Sequence, residues 1–265
     1  MNIYLRELNT NHKGMLIWAL ILTALGIMVL AFFPTIAKEA ESLERLMSTL
    51  PKGFMAAFGL EQISMTNIMG FYATKQYTTV TLFGGIYAIM LSSAMLSKEE
   101  NDKTIEFLLS KPVNRTDVVK SKLLSFITLI LAFNFLISAS MYITLQIVKT
   151  QDFSVDIFLL LSIAAFLLHL TFGSIGFLVS VLVKSSKNVL SLSLGIVLIT
   201  YFLGIASSLT EKLDFLKYLS PYKYVDAVAI ISNINIETKY LIIMAIINVF
   251  AITMTFLVYN KKDFA

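Results

Sequence analysis

Six apolar stretches recur along the chain, near residues 15–33, 77–96, 123–148, 157–183, 189–209 and 240–259. Each is close to the roughly 20 residues a helix needs to cross about 30 Å of hydrocarbon. Together they take up half of the 265 residues, and the rest is divided among segments between them and at the ends, none long enough to suggest a separate soluble domain. The rest of the composition agrees: 57% of residues are hydrophobic and 14% charged, where soluble domains carry about a quarter charged residues. The expectation is an all-α membrane protein with six transmembrane helices in a single domain over residues 1–265. There are no cysteines, which excludes disulfides, thiolate chemistry and Cys-based metal sites. The net charge of +4 is dispersed along the chain, so no nucleic-acid-binding stripe is expected.

Orientation is read from lysine and arginine. With residue 1 inside, twelve of the 21 basic residues fall in inner segments: Arg6, Lys13, Lys98, Lys103, Lys111, Arg115, Lys120, Lys122, Lys184, Lys187, Lys261 and Lys262. Positive charge favours the cytoplasmic side, so both termini are expected there. The first apolar run is longer than a signal-peptide core and lacks a small-x-small cleavage site in "FFPTIAKEAES", so it is expected to be a retained span. Residues 1–13 carry Ile3, Tyr4, Leu5 and Leu8 among polar neighbours, the pattern of a short interfacial helix. Leu43, Leu46, Met47 and Leu50 have helical spacing in the outer loop 34–67. Between spans five and six, "LDFLKYLSPYKYVDAV" mixes aromatic residues with lysine and predicts an extracellular interfacial or re-entrant helical segment.

One inner segment is longer than a reversal requires. "LSKEENDKTIEFLLSKPVNRTDVVKSKLL", from Leu96 to Leu124, joins spans two and three. Glu99, Glu100 and Asp102 are expected at the front of a helix, where acids suit the positive end of the dipole. Ile105, Leu108 and Leu109 form an apolar stripe at helical spacing, and Pro112 ends the helix. Asn114, followed by Asp117, caps the next helix, which runs on into span three. A helix this short is marginal alone in water, so its stripe needs a cover. Two readings stand: a solvated basic linker that sets topology, and a docking helix for a cytoplasmic subunit.

The succession Glu99–Glu100, Thr104, Glu106, Leu108–Leu109–Ser110, Pro112, Arg115 and Lys122 resembles the loop signature of type-2 ATP-binding-cassette (ABC) exporter permeases, with Lys103 where many members have glycine. Further likeness lies in "LPKGFMAAFGL", in "GFY" at Gly70–Tyr72, in "LSPYKY" and in "YNKKDF". The resemblance implies a bacterial plasma-membrane permease that forms the path, with ATP and Mg²⁺ held by a separate ATPase subunit. It implies that Glu99, Glu100, Thr104, Glu106, Leu108, Leu109, Pro112 and Arg115 form the ATPase-coupling loop. Arg115 and Glu106 are expected as its polar anchors, to the ATPase or to each other. Two permeases and two ATPases are expected to assemble. No Gly-rich run ends in GK[ST], so this chain has no phosphate loop of that kind; it is expected to be non-catalytic and without a cofactor of its own.

His169 and Ser174 lie five apart in span four, a poor nucleophile–base pair, and a neutral His bonded within the bundle is expected. Lys75 precedes span two and is expected to reach the outer interface, with a place in the substrate path as the alternative. Small residues Ser191, Gly195 and Gly204 in span five are the candidate dimer interface, and those in span four, Gly173, Gly176 and Ser180, allow close helix packing. The 20 Phe and 12 Met residues suit an amphipathic or antimicrobial peptide or a hydrophobic drug as substrate. The alternative function is an ATP-independent secondary carrier, or a membrane assembly or immunity protein.

Overall fold

The computed structural model describes residues 3–39, 67–101, 104–105, 113–183 and 186–262. Every long element among them is helical, and six helices are long and apolar enough to cross a membrane. In chain order they are α1 (Ile3–Ala31), α2 (Phe33–Lys38), α3 (Ile68–Phe71), a π-helical stretch Tyr72–Tyr77, α4 (Thr78–Asn101), α5 (Arg115–Val148), α6 (Val155–Leu182), α7 (Ser186–Ser207), a 3₁₀ helix Glu211–Leu219, α8 (Pro221–Tyr224), α9 (Ala227–Asn233) and α10 (Thr238–Lys261). The expected all-α, six-span fold is what the chain adopts.

Local chemistry sets several boundaries. Ser154 caps α6, its hydroxyl accepting from the Ile157 amide at 3.4 Å. Asp226 caps α9 through Val228 and Ala229 at 2.9 and 3.2 Å, and Asn67 caps α3 through Met69 at 2.8 Å. Each side-chain oxygen meets an amide that has no partner inside its helix. Asn114 is the residue before α5, as expected, but its side chain makes no capping bond; its carbonyl accepts from Asp117 and Val118 instead.

Three features differ from the sequence reading. Residues 3–13 do not form a separate interfacial helix: α1 runs unbroken from Ile3 to Ala31, because no proline interrupts it and the glycine at the junction, Gly14, weakens a helix without ending it. Helix also begins earlier than expected before span two, at Ile68, and continues through the π-helical stretch. Glu99 and Glu100 sit in the last turn of α4 rather than at the front of a loop helix. The outer-loop stripe Leu43, Leu46, Met47 and Leu50 lies outside the described residues.

α4 is the central span. Two-thirds of its most apolar window is buried within the protein (67%), against 22% for α7 and 17% for α10. It lies along α6 in the most extensive helix pairing and also packs on α7, while α1 lies along α5 and α10 along α6. Gly176 lets α6 approach α4 closely: a Cβ there would meet the Ser92 hydroxyl and lie 2.7 Å from the Ile89 carbonyl oxygen. Gly173 likewise makes room for the Phe126 ring. The small residues of span four therefore serve packing within the chain. Apolar side chains such as Leu20, Phe135, Ile147 and Val249 point outward, each at least two-thirds exposed, as a lipid-facing exterior requires.

Candidate coupling site at the loop end of the bundle

The two roots of the 97–122 loop are the end of α4 and the start of α5, and a buried cluster of charges joins them. Lys122, two turns into α5 at the edge of its apolar run, has no exposed surface. Its ammonium donates to both Glu99 carboxylate oxygens at 2.7 Å, to Glu7 Oε1 at 3.2 Å and to the Met95 carbonyl oxygen. Three N–H donors thus meet three acceptor groups. Lys98 donates to the other Glu7 oxygen, Oε2, at 2.6 Å, and Arg6 lies 3.6 Å from Glu99 Oε1. Two carboxylates are held among three cations, and the residues come from α1, α4 and α5.

The position of Glu99 explains the arrangement. A carboxylate at a helix C-terminus faces the negative end of the dipole, and a buried one also loses its hydration. Lys122 offsets both effects by binding the carboxylate and a carbonyl of the same helix. The first turns of α1 are fastened beside it, with Ser125 donating to the Tyr4 carbonyl at 3.0 Å and the Tyr4 and Thr128 hydroxyls 3.1 Å apart.

Of the residues expected in the loop, Glu99 is in this cluster. Glu100 accepts from Lys262 at 2.6 Å. The Thr104 amide donates to the Glu99 carbonyl at 2.9 Å, and Ile105, of the expected stripe, is 7% exposed and packs into the core. Arg115 donates to the carbonyl oxygens of Asn260 at 3.0 Å and Lys262 at 2.7 Å. Glu106, Leu108, Leu109 and Pro112 lie outside the described residues. Nothing in the sequence singles out Glu7 or Lys98 for this cluster, and Lys122 stands out there only as the last residue of the loop signature. A buried lysine between two carboxylates can be suspected only from its place at an apolar margin, and its partners lie 23 and 115 residues away.

Elsewhere, His169 is fully buried; Nδ1 is 3.0 Å from Asn134 Oδ1 and Nε2 is 3.2 Å from the Val80 carbonyl oxygen. Ser174 donates to its own helix at Leu170, so these two residues are not paired, and His169 is bonded within the bundle as expected. Lys75 is exposed, carried by the π-helical stretch whose neighbours point inward: Gln76 donates to the Leu22 carbonyl at 3.2 Å and Tyr77 to the Val225 carbonyl at 2.8 Å. With Thr79, Phe83, Ile86, Met90 and Ala94, Lys75 marks a single stripe along α4 that the protein leaves at least partly uncovered. On α7, Ser191 is exposed and Gly195 has nothing within 4 Å of where a Cβ would be. Gly204 instead faces Ser220 of the same chain, whose hydroxyl would lie 2.7 Å from such a Cβ.

Six helices long and apolar enough to cross a membrane, with buried ion pairs joining the two roots of the 97–122 loop, define a multi-pass membrane protein. The chain belongs to the ABC-2 transporter family: the family model described as ABC-2 family transporter protein matches residues 1–264. No curated protein matches it. It is thus a membrane-spanning permease component of an ABC transporter, from a family that is generally non-catalytic and normally works with an ATP-binding subunit.

Proposed function

We propose that this chain is the permease of an ATP-driven exporter whose 97–122 loop seats in a separate ATPase and passes its movement to the spans. The observation that carries the reading is the buried Glu7–Lys122–Glu99 cluster. A loop that only reversed the chain would need no fixed roots, and buried charges are costly unless well paired. Here the roots are held to each other and to α1, so a force on the loop moves three helices as one body. In this reading the loop end is cytoplasmic, both termini lie there, and ATP and Mg²⁺ bind the partner.

Two copies would enclose the path, with Ser191 and Gly195 on the open face of α7 at their contact. The uncovered α4 stripe would line the path. Its aliphatic, Phe and Met side chains, with Lys75 at the far end, suit an amphipathic peptide or a hydrophobic drug, because such surfaces adapt to varied apolar partners. Lys75→Met is expected to leave the amount of folded protein unchanged and to lower export of a cationic amphipathic test peptide or of a hydrophobic dye from cells. Unchanged export of both, at equal expression, removes Lys75 from the path.

The deciding experiment is purification of the chain from native membranes in mild detergent, with its companions identified and counted by mass spectrometry. One P-loop ATPase per permease is expected, and it should be lost when Leu108 and Leu109 are both replaced by Asp. A chain that emerges without an ATPase supports the secondary-carrier or assembly reading instead.

A further inference from the structure

The ion cluster ties together α1, α4 and α5, and a second set of contacts at the same end reaches α10. Lys262 bonds Glu100, on the root where the chain enters the loop, at 2.6 Å. Arg115, on the root where the chain leaves it, donates to the carbonyls of Asn260 and Lys262 at 3.0 and 2.7 Å. The side chains of Asn260 and Thr116 also lie within hydrogen-bond distance, at 3.3 Å. Two residues at the end of α10 therefore hold the loop roots: Lys262 touches both, and Asn260 touches the root on α5.

The chemistry of each contact is specific. The last carbonyls of a helix lack partners within it and carry partial negative charge. A guanidinium can satisfy two of them at once because its N–H groups are held in one plane. The Lys262 and Glu100 side chains are 12% and 26% exposed, so water screens this pair less than a pair at an open surface. One turn back, Tyr259 is 2% exposed and anchors the end of α10 in the core. The stretch is thus fixed on its own helix and bonded to two others.

We propose that residues 260–262 act as a strap that positions the loop roots and makes α10 move with them, with Glu100, Arg115 and Lys262 as the positioning residues. α10 lies along α6, and α6 along α4, so movement of the loop would reach the spans that the ion cluster does not touch. The mechanical role rests on the proposed docking of an ATPase on the loop; the strap itself does not.

The test uses the absence of cysteine from the chain. Spin labels on Thr104→Cys, at the loop root, and Val249→Cys, on the exposed face of α10, report the distance between the two in the full-length protein in lipid nanodiscs. The parent is expected to give a narrow distance distribution. Glu100→Lys and Lys262→Glu should each broaden it to roughly twice that width, as local opening does, and the two changes together should narrow it again. Single variants as narrow as the parent, or a double variant as broad as the singles, overturn the strap. In a complex that retains its ATPase, ATP with vanadate should shift the loop while the parent distance stays constant; a changed distance overturns the shared movement. If no ATPase accompanies the parent, the docking proposal fails, and the nucleotide-free distributions still decide the strap.

Discussion

Replacing Lys122 with Met is expected to destabilise the protein by about 3–5 kcal/mol, the range for removing one partner of a buried ion pair. Lys122 is fully buried and binds Glu99, Glu7 and a main-chain carbonyl. Methionine fills similar space but supplies no donor, so Glu99 at the end of α4 loses its closest cation and, among the described residues, is left with Arg6, 3.6 Å away and partly exposed. Glu7 fares better, because Lys98 still reaches it at 2.6 Å. Adding Glu99→Gln to Lys122→Met should therefore recover part of the loss by removing the stranded charge. Thermal unfolding of the detergent-solubilised chain, followed by the monodisperse fraction that survives heating, measures both. A single variant that melts with the parent would show that the cluster does not hold the loop roots, and the coupling proposal would lose its main support.

Gly176→Leu should be the most damaging change in the apolar core. The closest neighbours are the Ser92 hydroxyl and the Ile89 carbonyl oxygen; the hydroxyl can rotate away but the carbonyl belongs to helix backbone and cannot. Overpacking a tight site costs about 1–3 kcal/mol and occasionally more. Gly176→Ala falls in that range, and leucine must part α4 from α6, the most extensive helix contact in the fold. The expected result is a sharp fall in folded protein extracted from membranes. Gly195→Leu is the matched control, since among the described residues no neighbouring element lies within 4 Å of where its Cβ would be. It should leave folding intact, and on the proposed interface it should reduce pairing of two copies, read by the mass of the purified complex. Equal yields for Gly176→Leu and the parent would mean that α4 and α6 are not so closely packed.

The contrast between these two glycines shows where sequence reading stopped. Both occur among small residues in apolar spans, and the pattern "small residues permit close approach" is the same for each. Only the direction each faces in the bundle separates them: Gly176 faces α4, Gly195 faces outward, and Gly204 meets Ser220 of its own chain. The same holds for polar residues. Asn134 and His169 are 35 residues apart and meet in the core. The expectation that His169 is bonded inside the bundle followed from the cost of burying a polar group unpaired, but its partner could not be named.

Along the loop, Glu99 and Glu100 are expected at the front of a helix and lie instead in the last turn of α4. The dipole argument that favours acids at an N-terminus assumes that no stronger local charge intervenes. Lys122 and Lys262 supply such charge, and they come from other helices. Arg115 is expected to anchor the loop to the ATPase or to Glu106, which lies outside the described residues; among those described, it donates to the terminal carbonyls of Asn260 and Lys262.

The sequence by itself determined the six spans and the all-helical class, because crossing lipid demands a run of apolar residues whose length is fixed by the membrane and whose backbone bonds are closed within each helix. It also marked the loop, because charge and proline interrupt that pattern in a recognisable order. The tertiary structure alone decided which residues anchor the loop. Glu7, Lys98, Glu99 and Lys122 become one cluster, and Arg115 and Lys262 one strap, only when α1, α4, α5 and α10 lie side by side. Ion pairing acts over a few ångströms, and the chain brings those residues together across separations of 23 to 162 positions that no local pattern records.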